Sequence, residues 1–224
     1  MRKLCYFTIA LLSLCSCKKD SENGALLSGA QLSKHFITEY IVPSEIKIVK
    51  AGSILYLHFG GEYYRTYAID KLSNEAKFFT DLYGDKYYDK AIVPGSHSAL
   101  AYPIDGITIS CNEDFNANYP AGKPLDEIVK LEYVSYHQFI STGYQYIVPK
   151  NHEWISHEMV YYSHCFDSIT ADMTHLIKAN AAKNNDWTAI TFSDKPNIPG
   201  EYTFNLAVTI NGETLTTTFT HSFE

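Results

Sequence analysis

Residues 201–221 read EYTFNLAVTI-NG-ETLTTTFTH, and this stretch decides the fold class. Asn-Gly between two alternating runs is a strong hairpin signal, because a type I′ turn needs positive φ at both central residues. With Asn211-Gly212 as the loop, Ile210 faces Glu213. The register then pairs Val208 with Leu215, Leu206 with Thr217, Phe204 with Phe219 and Tyr202 with His221. Side chains alternate faces along a strand. Tyr202, Phe204, Leu206, Val208 and Ile210 therefore share one face, joined by Leu215 and Phe219. The other face, Glu201, Thr203, Asn205, Ala207 and Thr209, is largely polar. A slip of one residue would put the apolar set in water, so the register is strongly specified.

Working back from the hairpin, Pro196 and Pro199-Gly200 break the chain, and residues 187–192 (WTAITF) read as another strand. Near the other end, 53–59 (SILYLHF) and 62–69 (EYYRTYAI) flank Gly60-Gly61. A two-residue Gly-Gly loop there sets Leu57 opposite Tyr64 and Leu55 opposite Thr66. Further strands are expected at 45–50, 87–93, 106–111, 128–135 and 157–163, separated by Gly, Pro, Asn and Asp clusters. Two helices are expected. Over 168–182, Ile169, Met173, Leu176 and Ile177 form one stripe, with Asp167 or Ser168 as cap. Over 72–83 the signal is thinner, and Gly84 stops it. Residues 112–126 (NEDFNANYPAGKPLD) read as a linker loop between a β-rich unit over 25–111 and a second over 127–224, the alternative being one continuous sandwich.

The hairpin, the Pro-Gly corner and the strand before it resemble the closing strands of immunoglobulin-like β-sandwiches in bacterial surface proteins. The fold class expected is therefore mainly β: an antiparallel, immunoglobulin-like sandwich at the C-terminal end with a short helix, preceded by a second β-rich unit.

The N-terminus supplies an address. Met1, Arg2 and Lys3 precede an apolar run over 4–14 (LCYFTIALLSL). That run is too short to span a bilayer, which takes about 20 residues, and it reads as a secretory signal peptide over 1–16. Leu14-Cys15-Ser16-Cys17 resembles the lipobox of bacterial lipoproteins. The resemblance implies that Cys17 becomes an acylated N-terminus anchored in a membrane; two or more chains hold firmly where one does not. The tether 17–24 carries Lys18-Lys19-Asp20-Ser21-Glu22, similar to the charged signal that sends Bacteroidetes lipoproteins to the outer face of the outer membrane. Together with PGEYTFNLAVTINGETLT, these motifs make the chain similar to the uncharacterised surface lipoproteins of gut Bacteroidetes. That resemblance implies an outer-membrane, exterior-facing location and a fold, and no activity.

Removing 1–16 from the 224 residues leaves 208, enough for a proper core. Arg2 and Lys3 go with the signal, so 16 basic residues face 25 acidic ones, a formal charge of −9. Nucleic acid, whose binding needs cations against phosphates, is not an expected partner. Cys5 and Cys15 leave with the signal and Cys17 is lipidated. In an oxidising compartment the remaining Cys111 and Cys165 are candidates for a disulfide, with two buried free thiols as the alternative.

Signatures of chemistry are few. Phosphate loops, dinucleotide fingerprints, Gly-x-Ser-x-Gly elbows and Cys-x-x-Cys pairs do not occur in the sequence, and nothing calls for a cofactor. His152, His157, His164 and His175 lie close in sequence with Glu158 and Cys165. The His-Glu-x-x-His pattern fails at its second His, so solvated or hydrogen-bonded histidines are expected rather than a metal site. Asp114, Asn116 and Asn118 imitate the first three ligands of a calcium loop. Tyr119 then stands where Gly should, and Leu125 where Glu should. Asp167-Ser168-Ile169 matches the short O-glycosylation pattern of exported Bacteroidetes proteins, which makes Ser168 a modification candidate. Asp81, Asp85 and Asp89, with Lys86 and Lys90 beside them, read as a solvated face.

Tyrosine is abundant, 18 against 12 Phe and 2 Trp. It favours strands and tolerates half-buried surfaces. The doublets Tyr63-Tyr64, Tyr87-Tyr88 and Tyr161-Tyr162 put one ring on each face of a strand and are candidates for ligand stacking. Tyr133, Tyr136, Tyr144 and Tyr146 are the other clustered rings. The expected function is non-catalytic binding of a glycan or partner protein by an anchored envelope protein. The alternative is a structural or accessory subunit of a fimbrial or nutrient-uptake assembly, and a hydrolase comes third.

Overall fold

A computed structural model describes residues 30–67, 72–147, 155–179 and 187–224. The signal peptide, Cys17, the tether, His152 and residues 180–182 of the expected helix lie outside them. The protein is mainly β, 49% strand against 12% helix, with several sheets, one of them curled into a half-barrel. The strands are β1 (Gln31–Ser33), β2 (Glu39–Ala51), β3 (Ile54–Arg65), β4 (Lys90–Ile92), β5 (Ser98–Leu100), β6 (Ile104–Cys111), β7 (Val129–Ser135), β8 (Val160–Cys165), β9 (Ala189–Phe192), β10 (Gly200–Ile210) and β11 (Glu213–Phe223). The helices are α1 (Asn74–Tyr83) and α2 (His137–Ser141).

The terminal hairpin forms in the register read from the sequence, from Ile210 opposite Glu213 to Tyr202 opposite His221. Asn211 and Gly212 both take positive φ, 51° and 77°. Tyr202, Phe204, Leu206, Val208, Ile210 and Phe219 are buried. Strand β10 also pairs with β6, giving a three-stranded sheet in the order β11-β10-β6. The curled sheet has the order β5-β2-β3-β9-β7-β8, and β1 pairs with β4 in a small ribbon.

The strands do not follow the division at 112–126. β2, β3 and β5 precede that segment and β7, β8 and β9 follow it, yet all six hydrogen-bond in one sheet; β6 from the first half pairs with β10 from the second. The segment itself contributes Phe115, Tyr119 and Leu125 to the core. Leu125 N–H also donates to the Ile109 carbonyl at 2.8 Å. Its polar residues were visible in the sequence; its three buried apolar ones are too widely spaced to show a period.

Gly60-Gly61 is not a turn. β3 runs straight through it, and the turn lies earlier, at Gly52-Ser53, so Leu57 pairs with Ile48 and Tyr64 with Tyr40. The glycines sit where β3 crosses an irregularity in β2 between Pro43 and Glu45. A Cβ on Gly61 would overlap the Val42 carbonyl oxygen and stand 2.9 Å from Pro43 Cα. Glycine here permits a close backbone approach rather than a reversal.

The two expected helices exchange fates. α1 forms: the Ser73 hydroxyl accepts from Ala76 N–H at 3.0 Å, and Gly84 closes the helix at φ 68°. Within 168–179 there is no α-helix. Short 3-10 turns cover Phe166–Ser168 and Ala171–Met173, Leu176 turns the chain at φ 49°, and residues 177–179 follow it as an extended strap. On one side Leu100 N–H donates to Ile177 O (2.9 Å) and Ala179 N–H to Ser98 O (3.1 Å). On the other, Lys178 N–H donates to Val134 O (2.8 Å) and Tyr136 N–H to Leu176 O (3.1 Å). The strap thus joins edge strand β5 to β7. Leu176 and Ile177, neighbours in the supposed stripe, enter two different cores. Pairing on both edges outweighs a local helical pattern. α2, five residues without a side-chain cap, had no signal to read.

Those two cores lie on the two faces of the curled sheet. Ile41, Leu57, Leu131 and Ile190 on the inner face pack against Ile109, Phe204, Leu206 and Val208 of the three-stranded sheet. Tyr40, Ala99, Val134 and Tyr136 on the outer face pack against Phe79 of α1, Phe139 of α2 and Phe36.

Candidate functional site

Part of the outer face over β3, β9, β7 and β8 stays open beside that face's core, and there a groove of about 1550 Å³ lies. Its floor follows from strand register. Tyr56 on β3 pairs with Ala189 on β9, Ala189 with Glu132 on β7, and Val134 on β7 with Tyr161 on β8. Trp187, two residues before β9 begins, joins them in the lining. The small Ala189 therefore lies in a trough between taller rings. Glu132 accepts from the Thr191 hydroxyl at 3.2 Å and from the Tyr161 hydroxyl. Burial, with the Glu132 charge second, raises the Tyr161 pKa.

β3 and β9 share only two residue pairs, Leu55 with Ile190 and Tyr56 with Ala189. Beyond them the groove continues past the tip of the β2-β3 hairpin to the end of β11. There His221 stacks on Phe192, centroids 5.9 Å apart, and meets Phe223 edge-on at 4.7 Å. Burial and then the nearby Lys50 hold the His221 pKa below its usual value. Lys195 Nζ donates to the Glu224 carbonyl at 3.2 Å. Asp194 accepts from Lys195 N–H at 2.8 Å and from Asn116 at 3.2 Å. This groove offers ring faces flanked by carboxylates, ammonium groups and hydroxyls, the lining that holds a ligand with both apolar faces and polar edges.

The tyrosine doublets separate. Tyr161 lines the groove, while Tyr162 turns to the inner face and stacks on Tyr133 at 5.2 Å. Tyr63 is exposed on β3. Tyr64 beside it packs on Phe79, and its hydrogen bond to Glu62 pushes its pKa up to about 12. Tyr87 is 75% exposed; Tyr88 packs on Phe36 and Tyr144. Tyr56, Trp187 and Glu132 were missed by the sequence reading. Each belongs to a different strand or strand end, and only cross-strand register brings them together.

The remaining candidates do not assemble. Cys111 and Cys165 are free thiols. Cys111 sits in the inner core opposite Phe204, while Cys165 stands opposite Lys130, between the inner-core positions Val129 and Leu131, and so on the other face. Within the loop Asp114 Oδ1 accepts from Ala121 N–H at 2.8 Å and Asn116 Oδ1 from Asn118 N–H at 3.0 Å. No group of three metal-ligating side chains occurs among the described residues. His164 stacks on Tyr162, His157 meets Tyr146 edge-on and His175 lies beside His137. The Ser168 hydroxyl donates to the Cys165 carbonyl at 2.7 Å from a 3-10 turn, not from a helix cap.

Asp85 corrects another expectation. It is not part of a solvated face but fully buried. Its carboxylate accepts from Phe36 N–H (2.8 Å), Ile37 N–H (2.9 Å) and the Tyr144 hydroxyl (2.9 Å). Burial raises its pKa, and these hydrogen bonds pull it back. Asp81 does stay outside, paired with Lys86 at 2.8 Å.

A second set of perturbed groups lies across Trp187 from the groove. Lys178 Nζ sits 4.2 Å from the Trp187 ring and 5.9 Å from Tyr136. Burial brings its pKa down to about 8. His97 stacks on Phe36 at 4.1 Å, and burial, then Lys178, lowers its pKa to about 4. No helix of the described residues is long and apolar enough to cross a membrane. No protein-family model, curated protein or solved structure matches the chain.

Proposed function

We propose that this is a lipid-anchored envelope protein, facing the cell exterior, that binds a glycan without transforming it. The observation carrying the binding reading is the groove on the outer sheet face, where Tyr56, Trp187 and Tyr161 flank Glu132. Ring faces take the C–H faces of sugars, and the carboxylates and ammonium groups take their hydroxyls. Binding is favoured over hydrolysis because Glu132 already serves the Thr191 and Tyr161 hydroxyls, and Asp194 the Lys195 and Asn116 groups. The anchor and the location rest on the LCSC and KKDSE motifs. The immunoglobulin-like assignment of the closing strands belongs to the same proposal. It is supported by the β11-β10-β6 sheet facing the curled sheet across one core.

The test is thermal melting of the chain against neutral and acidic polysaccharides. A ligand at 100 times its Kd adds about 2.7 kcal/mol, and Trp187→Ala should abolish that gain. A flat panel defeats the binding reading. One observation favours the alternative, an assembly subunit: Phe78 and Leu82 stand one turn apart on α1, 53% and 54% exposed. Under that reading Phe78→Ser releases the protein from its envelope complex and leaves glycan melting flat for both chains.

A further inference from the structure

The size, register and charge of the groove specify its ligand more closely, on the assumption that the binding reading holds. Neighbouring strands lie about 4.8 Å apart. Tyr56 stands on β3, Glu132 two strands away on β7 and Tyr161 three strands away on β8. The two tyrosines therefore rise from strands separated by about 14 Å. A single sugar ring cannot touch both. In the other direction, Ala189 to Phe192 along β9 adds about 10 Å before His221 and Phe223 are reached. The 1550 Å³ volume also exceeds the roughly 300–1,000 Å³ that suits one small ligand.

Charge narrows the chemistry. The lining carries Lys50 and Lys195 against Glu132, Asp194 and Glu224, with His221 held towards its neutral form. Among the described residues neither lysine forms a salt bridge with a carboxylate. The signs are interspersed along the lining rather than gathered into a cationic track. The chain as a whole carries a net −7 over its 224 residues. A polyanion would gain little at the two lysines and meet repulsion elsewhere. A hydroxyl-rich, uncharged chain can use every one of these groups as donor or acceptor.

We infer that the groove takes an uncharged polysaccharide chain, engaging about three or more consecutive sugar rings between Tyr56 and Tyr161 and excluding single sugars as effective ligands. Polymer rather than monomer specificity follows from the geometry. The rings at the two sides contribute only when one chain reaches both.

The experiment is isothermal titration of the full chain with neutral oligosaccharides of one to six units in several linkages, alongside uronate and sulfated series of matched length. The expected result is an affinity that climbs at least a hundredfold from monosaccharide to tetrasaccharide in a neutral series and then levels. Tyr56→Ala and Tyr161→Ala should each lower hexasaccharide affinity about tenfold, the size of one lost stacking contact. Tyr56→Phe, which keeps the ring, should restore binding, and urea unfolding checks that the variants fold. Monosaccharide binding as tight as hexasaccharide binding overturns the inference and leaves the binding reading standing. A preference for the uronate or sulfated series overturns the neutral-chain assignment. Absence of binding at every length and charge removes the binding reading and the inference with it.

Discussion

Replacing Asp85 by Asn tests whether one buried carboxylate organises the outer core. Its two oxygens accept separately from Phe36 N–H and Ile37 N–H, and the Phe36-bound oxygen also accepts from Tyr144. Only an ionised carboxylate offers an acceptor at both positions. An asparagine of the same shape must point its NH2 at one of the two backbone N–H groups, whichever way it flips. One buried donor is then orphaned, at about 1–3 kcal/mol, and the surviving bonds lose their charge assistance. Relief from burying a charge offsets part of this, leaving a net cost of about 2–3 kcal/mol. Tyr144→Phe removes a donor and orphans nothing on the carboxylate's other oxygen, so about 1 kcal/mol is expected. Urea unfolding at pH 7 with unchanged m-value reads both, and the double variant should cost less than the sum, because both act on one network. If Asp85→Asn unfolds within 0.5 kcal/mol of the parent, the carboxylate does not hold the 36–37 backbone as described.

Further outcomes can be measured alongside. Gly61→Ala forces β3 away from the Val42–Pro43 backbone, so a loss of about 3 kcal/mol or failure to fold is expected, whereas Gly52→Asn, at a turn position with φ 62° and open space around it, should be tolerated in the same melting assay. His97, depressed to about 4 in the fold from about 6.5 in the unfolded chain, stays neutral while the unfolded chain takes up a proton. Its contribution is present above pH 6.5, falls as pH drops towards 4 and is lost below that, at most about 3 kcal/mol; His97→Phe should flatten the stability profile over that window. Burial pushes the Cys111 thiol up to about 11, so a thiol reagent at pH 8 should modify Cys165 in the native protein and Cys111 only after unfolding. Rapid native labelling of Cys111 would contradict its place in the inner core.

The sequence by itself determined the elements whose signals are local. Asn211-Gly212 with its alternating flanks contained the hairpin and its register, because turn type and side-chain period act over a few residues. Gly84 ended α1 for the same reason, while the Ser73 cap showed only in the structure. What sequence left open depended on partners far along the chain. The Gly60-Gly61 pair reads equally well as a loop or as a crossing point, and only the β2 irregularity opposite it decides. The 168–179 stripe reads as a helix until β5 and β7 offer hydrogen bonds on both sides of 176–179. Asp85 looked solvated because its burial depends on Phe36, Ile37 and Tyr144, 48 to 59 positions away. The groove is the extreme case. Tyr56, Glu132, Tyr161 and Trp187 share no motif, and they become one surface only because β3, β9, β7 and β8 pair in that order. Lateral order in a sheet is a tertiary property, since hydrogen bonding between strands is indifferent to how far apart they lie in the sequence.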